Sequence, residues 1–247
     1  MTNMAFRKAQ RTKAKLRLAI TGPAGSGKTY SALLLAFGLG GKIAMIDTEN
    51  GSGDLYCNLG DYDICSLSAP YDPRKYVQNI HEAEQGGYDI LIIDSLSHAW
   101  SGEGGVLDLQ ARATAASKTG NSYNAWRQVT PLQNRLIDTL LASPCHIIAT
   151  MRSKTEYLQS ENERGKTEIR KVGLAPVQRE GVDYEFGTVF DIALNHTASV
   201  SKDRTGMFDG NYFTITQDTG KILRKWLDDG AEIPNDIQAT GTEGGEA

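Results

Sequence analysis

Gly22-Pro23-Ala24-Gly25-Ser26-Gly27-Lys28-Thr29 decides the fold. It satisfies the pattern G-x-x-x-x-G-K-[ST] at every position. The glycines let the backbone curl until several N–H groups face one point, at the start of the helix that follows. A phosphate group sits at such a point. Lys28 would reach the β- and γ-phosphates of a nucleotide, and Thr29 would place its hydroxyl on Mg²⁺. Residues Gly22 to Thr29, with the adjoining Tyr30, are the candidate ATP contacts.

The segments on either side fit that reading. Lys15–Thr21 (KLRLAIT) leads into the glycine loop and reads as a strand, as do Lys42–Asp47, Ile90–Asp94 and Cys145–Met151. Near-continuous apolar runs rich in β-branched residues suit strands buried on both faces of a parallel sheet. Helices are expected over Lys28–Leu39, Asp72–Glu84 and Tyr123–Leu141. The last carries Trp126, Val129, Leu132, Leu136 and Leu140 at helical spacing, with Pro131 expected to kink or split it. Alternation of this kind gives an α/β fold with a mostly parallel central sheet flanked by helices. Past residue 182 the pattern changes. Phe190–Leu194, Thr197–Ser201 and Tyr212–Thr216 read as short antiparallel strands, with turns at Arg204-Thr205-Gly206 and Asp209-Gly210-Asn211.

Composition sets the frame. The chain has 247 residues, 40% hydrophobic and 23% charged, and can bury a sizeable core. Its 26 basic and 30 acidic residues give a net charge of −4, which advertises no nucleic-acid partner by itself. The charge is uneven: residues 1–17 hold six bases and no acid, and residues 226–247 hold six acids and no base. Three parts follow: a basic arm (1–14), a core (15–227) and an acidic tail (228–247) expected to be disordered. No apolar run is long enough to span a membrane. The three cysteines, Cys57, Cys65 and Cys145, lack metal-ligand spacing and suit a reducing cytoplasm.

Two carboxylates stand where chemistry would need them. Asp94 ends a strand 66 residues after Lys28, a placement suited to a Mg²⁺ contact beside the phosphate loop. Glu49 follows the strand after the glycine-loop helix, where a carboxylate would orient or deprotonate an attacking water.

Ile46-Asp47-Thr48-Glu49 resembles the Ile-Asp-x-Glu of the RecA family, in which the Glu is catalytic. The resemblance implies further residues. Tyr56 matches the aromatic that stacks on adenine, with Asp54 a weaker candidate for contacting the base. Ser201-Lys202-Asp203-Arg204 looks like the Lys-x-Arg hairpin whose cations reach a neighbouring subunit's γ-phosphate. Cys145–Arg152 (CHIIATMR) is similar to the strand bearing a γ-phosphate-sensing Gln, but Thr150 occupies that place. Together with IIDSLSHAW and RKVGLAPVQREGVDYEF, these motifs resemble phage proteins made of a RecA core alone, including RecA-like single-strand annealing proteins.

What that resemblance implies is a RecA-like P-loop NTPase core with a C-terminal antiparallel hairpin region. It implies an ATPase that uses ATP and Mg²⁺ and binds single-stranded DNA. Such a protein would self-associate into a filament or ring, work with a single-strand-binding protein and act in a bacterial host's cytoplasm. Catalytic roles fall to Lys28, Glu49, Asp94, Lys202 and Arg204. Two polar segments, Ser101–Ser122 and Ser153–Glu180, are expected to be long loops lining a DNA groove. Arg152, Lys154, Arg164, Lys166, Arg170 and Lys171 are the candidate DNA contacts. Phe6-Arg7-Lys8-Ala9 has the Phe-x-x-Ala form used for docking between recombinase subunits, but an arm packed on its own core or bound to DNA phosphates is the preferred reading. A ring-forming DNA motor shares the ATPase parts and stays open. A small-molecule kinase leaves Glu49 and the Lys202/Arg204 pair without a use.

Overall fold

The computed structural model describes residues 8–117, 120–161 and 167–231, apart from the side chains of residues 155–174. The strands are β1 (Arg17–Gly22), β2 (Ile43–Asp47), β3 (Asp63–Ser66), β4 (Ile90–Asp94), β5 (His146–Glu161), β6 (Thr167–Pro176), β7 (Thr188–Ile192) and β8 (Ala198–Asp203). The helices are α1 (Lys28–Leu39), α2 (Pro73–Gln85), α3 (Ser97–Ser101), α4 (Val106–Ala116), α5 (Ser122–Ala142) and α6 (Gln217–Asp228). The sheet runs β3-β2-β4-β5-β1-β7-β8, with β6 attached to β5 off that path. From β3 to β7 every neighbouring pair is parallel. β8 is antiparallel to β7, and β6 to β5. This is the expected α/β fold of a P-loop NTPase type.

Alternation along each central strand explains the continuous apolar runs. Leu91 and Ile93 pack into a core with Tyr76, Ile80, Leu136 and Leu140 of α2 and α5. Ile90 and Ile92 pack on the opposite face with Leu33, Leu35, Leu223 and Leu227 of α1 and α6. A strand covered on both faces has no side left for polar residues. Where α1 crosses α6, backbone meets backbone. A Cβ placed on Gly38 would lie 2.0 Å from the Gln217 carbonyl oxygen, and one on Gly220 2.4 Å from that of Leu35.

Several expectations change. α5 runs unbroken through Pro131. The segment Ser101–Ser122 is not one loop, because α4 occupies half of it. Nor is Ser153–Glu180: β5 continues far beyond the parallel sheet and pairs with β6 as a two-stranded ribbon. The strand expected at Tyr212–Thr216 shrinks to one bridge, Ala198 to Phe213, because Phe213 turns inward to meet Phe190 and Phe208. α6 and β3 are elements to which the sequence reading assigns no structure. α6 is closed by a capping box between Thr216 and Thr219. Part of the basic arm lies against its end: Thr12 bridges Ala231, and Arg11 stacks over Trp226 and pairs with Asp229 at 3.1 Å. Phe6 and residues 232–247 lie outside the described residues. No helix among the described residues is long and apolar enough to cross a membrane.

One buried contact sets a pH dependence. The Leu16 N–H donates to His146 Nδ1 at 3.0 Å, so the ring is held neutral as an acceptor. Burial, then the nearby charges of Lys15, Arg224 and Arg17, lower its pKa from 6.5 to about 4. Between those values the unfolded chain takes a proton that the folded one refuses, so stability rises with pH. The contribution is complete above pH 6.5 and is lost as pH falls through about 4, a change of about 3 kcal/mol. Urea unfolding at pH 7 and pH 4 should show this drop in the wild type and a smaller one in His146→Asn.

Candidate active site

Because the strands are parallel, their C-terminal ends open on one edge of the sheet, where α/β proteins of this layout place ligands. Register then brings the candidates together. Asp47 of β2 lies beside Asp94 of β4, and Gly22 of β1 beside Arg152 of β5.

The glycine loop has the conformation its sequence implies. Gly25 and Gly27 take φ of 79° and 89°, a region that L side chains avoid. Gly22 has no room for a Cβ, which would sit 2.5 Å from Ser26 Oγ and 2.6 Å from the Ile192 carbonyl oxygen. Lys28 folds back, its Nζ donating to the Pro23 carbonyl at 2.8 Å. Burial lowers the Lys28 pKa, with Asp94 and Glu49 opposing that shift. Ser26 Oγ is buried with no hydrogen-bond partner. His196, in the left-handed region at φ 64°, caps the loop from outside, its Nδ1 lying 3.0 Å from the Ser26 carbonyl oxygen.

Thr29 and Asp94 meet directly. The Thr29 hydroxyl donates to Asp94 Oδ2 at 2.6 Å, and Thr150 donates to the other oxygen, Oδ1. Burial raises the Asp94 pKa, while the Thr150 and Thr29 hydrogen bonds work against it. Thr150, which replaces the expected Gln, therefore supports Asp94. A hydroxyl and a carboxylate side by side are hard oxygen donors suited to Mg²⁺. No cluster of three His, Cys, Asp or Glu side chains stands ready for a metal among the described residues. An ion there would need phosphate oxygens to complete its shell, as Mg²⁺ in nucleotide sites does.

Glu49 is aimed by its neighbours. Its N–H donates to Asp47 Oδ1 at 2.6 Å, and the other Asp47 oxygen accepts from Gly53 N–H at 3.1 Å, so one buried carboxylate shapes the whole 47–53 turn. The side chain pairs with Arg152: Nε donates to Oε1 at 3.0 Å and a terminal nitrogen donates to Oε2. Burial pushes the Glu49 pKa up, but the Arg152 hydrogen bonds and charge outweigh it, and the value falls below the usual range. Thr48, beside it, lies 2.7 Å from His98 Nδ1 and accepts from Ser95 N–H at 2.8 Å. Tyr71 stacks on His98 at 4.7 Å. Asp47, His98 and His196 are site neighbours the sequence reading does not name. Asp47 lies inside the Ile-Asp-x-Glu motif and His98 inside IIDSLSHAW, but their roles come from contacts formed only on folding.

The other candidates fall as follows. Tyr30 and Tyr56 meet edge to face at 5.8 Å at the start of α1. Lys202 lies on β8, donating to the carbonyls of Tyr184 and, at 3.4 Å, Asp183. Arg204 is exposed in the turn that follows. Arg152, an expected DNA contact, is paired with Glu49. Lys154 is exposed at the base of the ribbon and lines a cleft of about 970 Å³ that also touches Gly22, Arg179 and Asp191. Arg164 and Lys166 lie outside the described residues. The backbones of Arg170 and Lys171 sit on β6 opposite Leu158 and Tyr157.

A family model described as an AAA domain matches residues 14–225. The chain belongs to the AAA domain family. With the glycine loop, this makes it a nucleotide-binding protein of the P-loop ATPase type. The matched residues take in every strand and all but the last turn of α6. No curated protein matches the chain.

Proposed function

We propose that this AAA-domain protein hydrolyses ATP and uses it to handle single-stranded DNA, annealing or pairing complementary strands as a recombination protein. The observation that carries the reading is β5. One strand supports Asp94 through Thr150, holds Glu49 through Arg152, and then leaves the sheet as a ribbon with basic residues along its sequence.

In this reading the glycine loop and Lys28 hold the triphosphate. The Thr29 hydroxyl and Asp94 would hold Mg²⁺, which supplies charge neutralisation at the phosphates when bound. Tyr30 and Tyr56 flank the base. Glu49 accepts a proton from the attacking water as its oxygen bonds to the γ-phosphorus. The bond to the β-phosphate oxygen breaks, and ADP leaves with that electron pair. Lys202 and Arg204, at the sheet's β8 edge, would serve a neighbouring subunit's γ-phosphate in a filament or ring. Lys154, Arg164, Lys166, Arg170 and Lys171 would contact DNA phosphates, with a single-strand-binding protein as a further partner.

Fluorescence anisotropy of a labelled single-stranded oligonucleotide tests this, with and without a non-hydrolysable ATP analogue, at low and moderate salt. Salt-sensitive binding strengthened at least about tenfold by the analogue is expected, and Lys28→Ala should abolish that strengthening. Absence of binding under all conditions would overturn the DNA reading and leave the ATPase site standing. ATP-driven unwinding in place of annealing would favour the ring motor.

A further inference from the structure

We propose that the pocket between α5 and the segment that follows β6 binds a small organic diammonium ion, two alkylammonium groups joined by a short apolar chain. The inference does not depend on the ATPase reading, and its site is separate from the phosphate loop.

The deciding atom is Gln133 Oε1. The Leu96 carbonyl can only accept, so Gln178 must turn its Nε2 toward it, at 3.0 Å. Gln178 Oε1 then faces two donors, the Arg179 N–H at 2.8 Å and Gln133 Nε2 at 3.0 Å. Turning the Gln133 amide over would set oxygen against oxygen. The chain of amides therefore fixes Gln133 Oε1 as an acceptor, and that atom is buried with no partner. Gln133 is 2% exposed and lines a pocket of about 340 Å³. A buried acceptor left alone is costly, and an N–H donor entering the pocket would relieve it.

Charge says what kind of donor. Asp138 of α5 lines one wall, and Glu180 and Glu185 line the other. The one cation among the lining residues is Arg179, whose Nη1 donates across the pocket to Asn134 Oδ1 at 2.9 Å. Three carboxylates against one guanidinium leave two net negative charges, which a dication neutralises. A compact metal ion fits less well. It needs about six oxygen ligands converging on one point, and no three acidic, His or Cys side chains among the described residues are so placed. Separated carboxylates suit two charges held apart. Ile137 and Val182 complete the lining and offer apolar surface to the chain between them.

Arg179, Glu180 and Gly181 also line the cleft of about 970 Å³ beside the phosphate loop. A ligand in the smaller pocket would brace the wall that the two share.

Calorimetric titration of the full chain with putrescine at low ionic strength tests this, with butylamine and Mg²⁺ as comparisons. Putrescine should bind at one site, about tenfold or more tighter than butylamine. Asp138→Asn combined with Glu185→Gln, both at exposed positions, should weaken it by about tenfold or more and leave the unfolding transition in place. Gln133→Met keeps the bulk of the side chain, removes the acceptor and should weaken putrescine as well. If that buried variant fails to fold, the exposed pair decides. Putrescine should also slow amide hydrogen exchange over residues 178–186 in the wild type and not in the exposed-pair variant. No putrescine binding overturns the proposal. So does an affinity unchanged in the exposed-pair variant, which would place the ligand elsewhere, such as on the acidic residues after 231. Displacement by Mg²⁺ at equal charge would reduce the effect to bare screening and overturn it too.

Discussion

Glu49→Gln should cut ATP turnover by about 100-fold or more while ADP affinity stays within about twofold of wild type. The substitution keeps the shape of the side chain and its place at the end of β2. It removes the basicity and leaves intact the turn that Asp47 fixes through the backbone N–H groups of Glu49 and Gly53. The phosphate loop, Thr29 and Asp94 are untouched, so nucleotide contacts persist. Phosphate release and nucleotide titration together decide the matter. A turnover within tenfold of wild type would remove Glu49 as the base and leave it an ion-pair partner of Arg152.

The largest effect on stability is expected at Gly38. Alanine is favoured over glycine inside a helix by about 1 kcal/mol, so propensity predicts that Gly38→Ala stabilises. Packing predicts the reverse and should win. The new methyl would overlap the Gln217 carbonyl oxygen, backbone at the start of α6 that cannot turn aside like a side chain. α1 and α6 would have to separate, loosening Leu33, Leu35, Leu223 and Leu227 over one face of the sheet. A loss of about 3 kcal/mol is expected from urea unfolding. Unchanged or raised stability would mean that the two helices are not seated this closely.

The central sheet and the phosphate loop were legible because each imposes its own residue pattern. Strands buried on both faces must be apolar throughout, and the glycine loop needs positive φ at Gly25 and Gly27. β3 was not legible, since it is a short edge strand with Asp63, Cys65 and Ser66 exposed. α4 hides behind Gly102, Gly104 and Gly105, which read as loop although they only introduce the helix. The β5–β6 ribbon leaves the core, so no buried face demands alternating apolar residues along it. Tyr212–Thr216 has the residues of a strand, yet the Phe190, Phe208 and Phe213 cluster claims its ring and leaves one bridge. Arg152 and Glu49 lie 103 positions apart, and only the register of β5 on β1 and β4 brings them together.

β5 runs for 16 residues, about 50 Å of extended chain, without a loop or helix to divide it. Its first part is gripped by β1 and β4, and its second part by β6. One register shift, between Glu156 and Tyr157, is its compliant point. In mechanical terms the strand is a tie rod. Tension applied to the ribbon travels along covalent backbone to Arg152 and Thr150, while the flanking ladders resist sliding. A load on the ribbon would then be felt first by the two residues that hold Glu49 and Asp94.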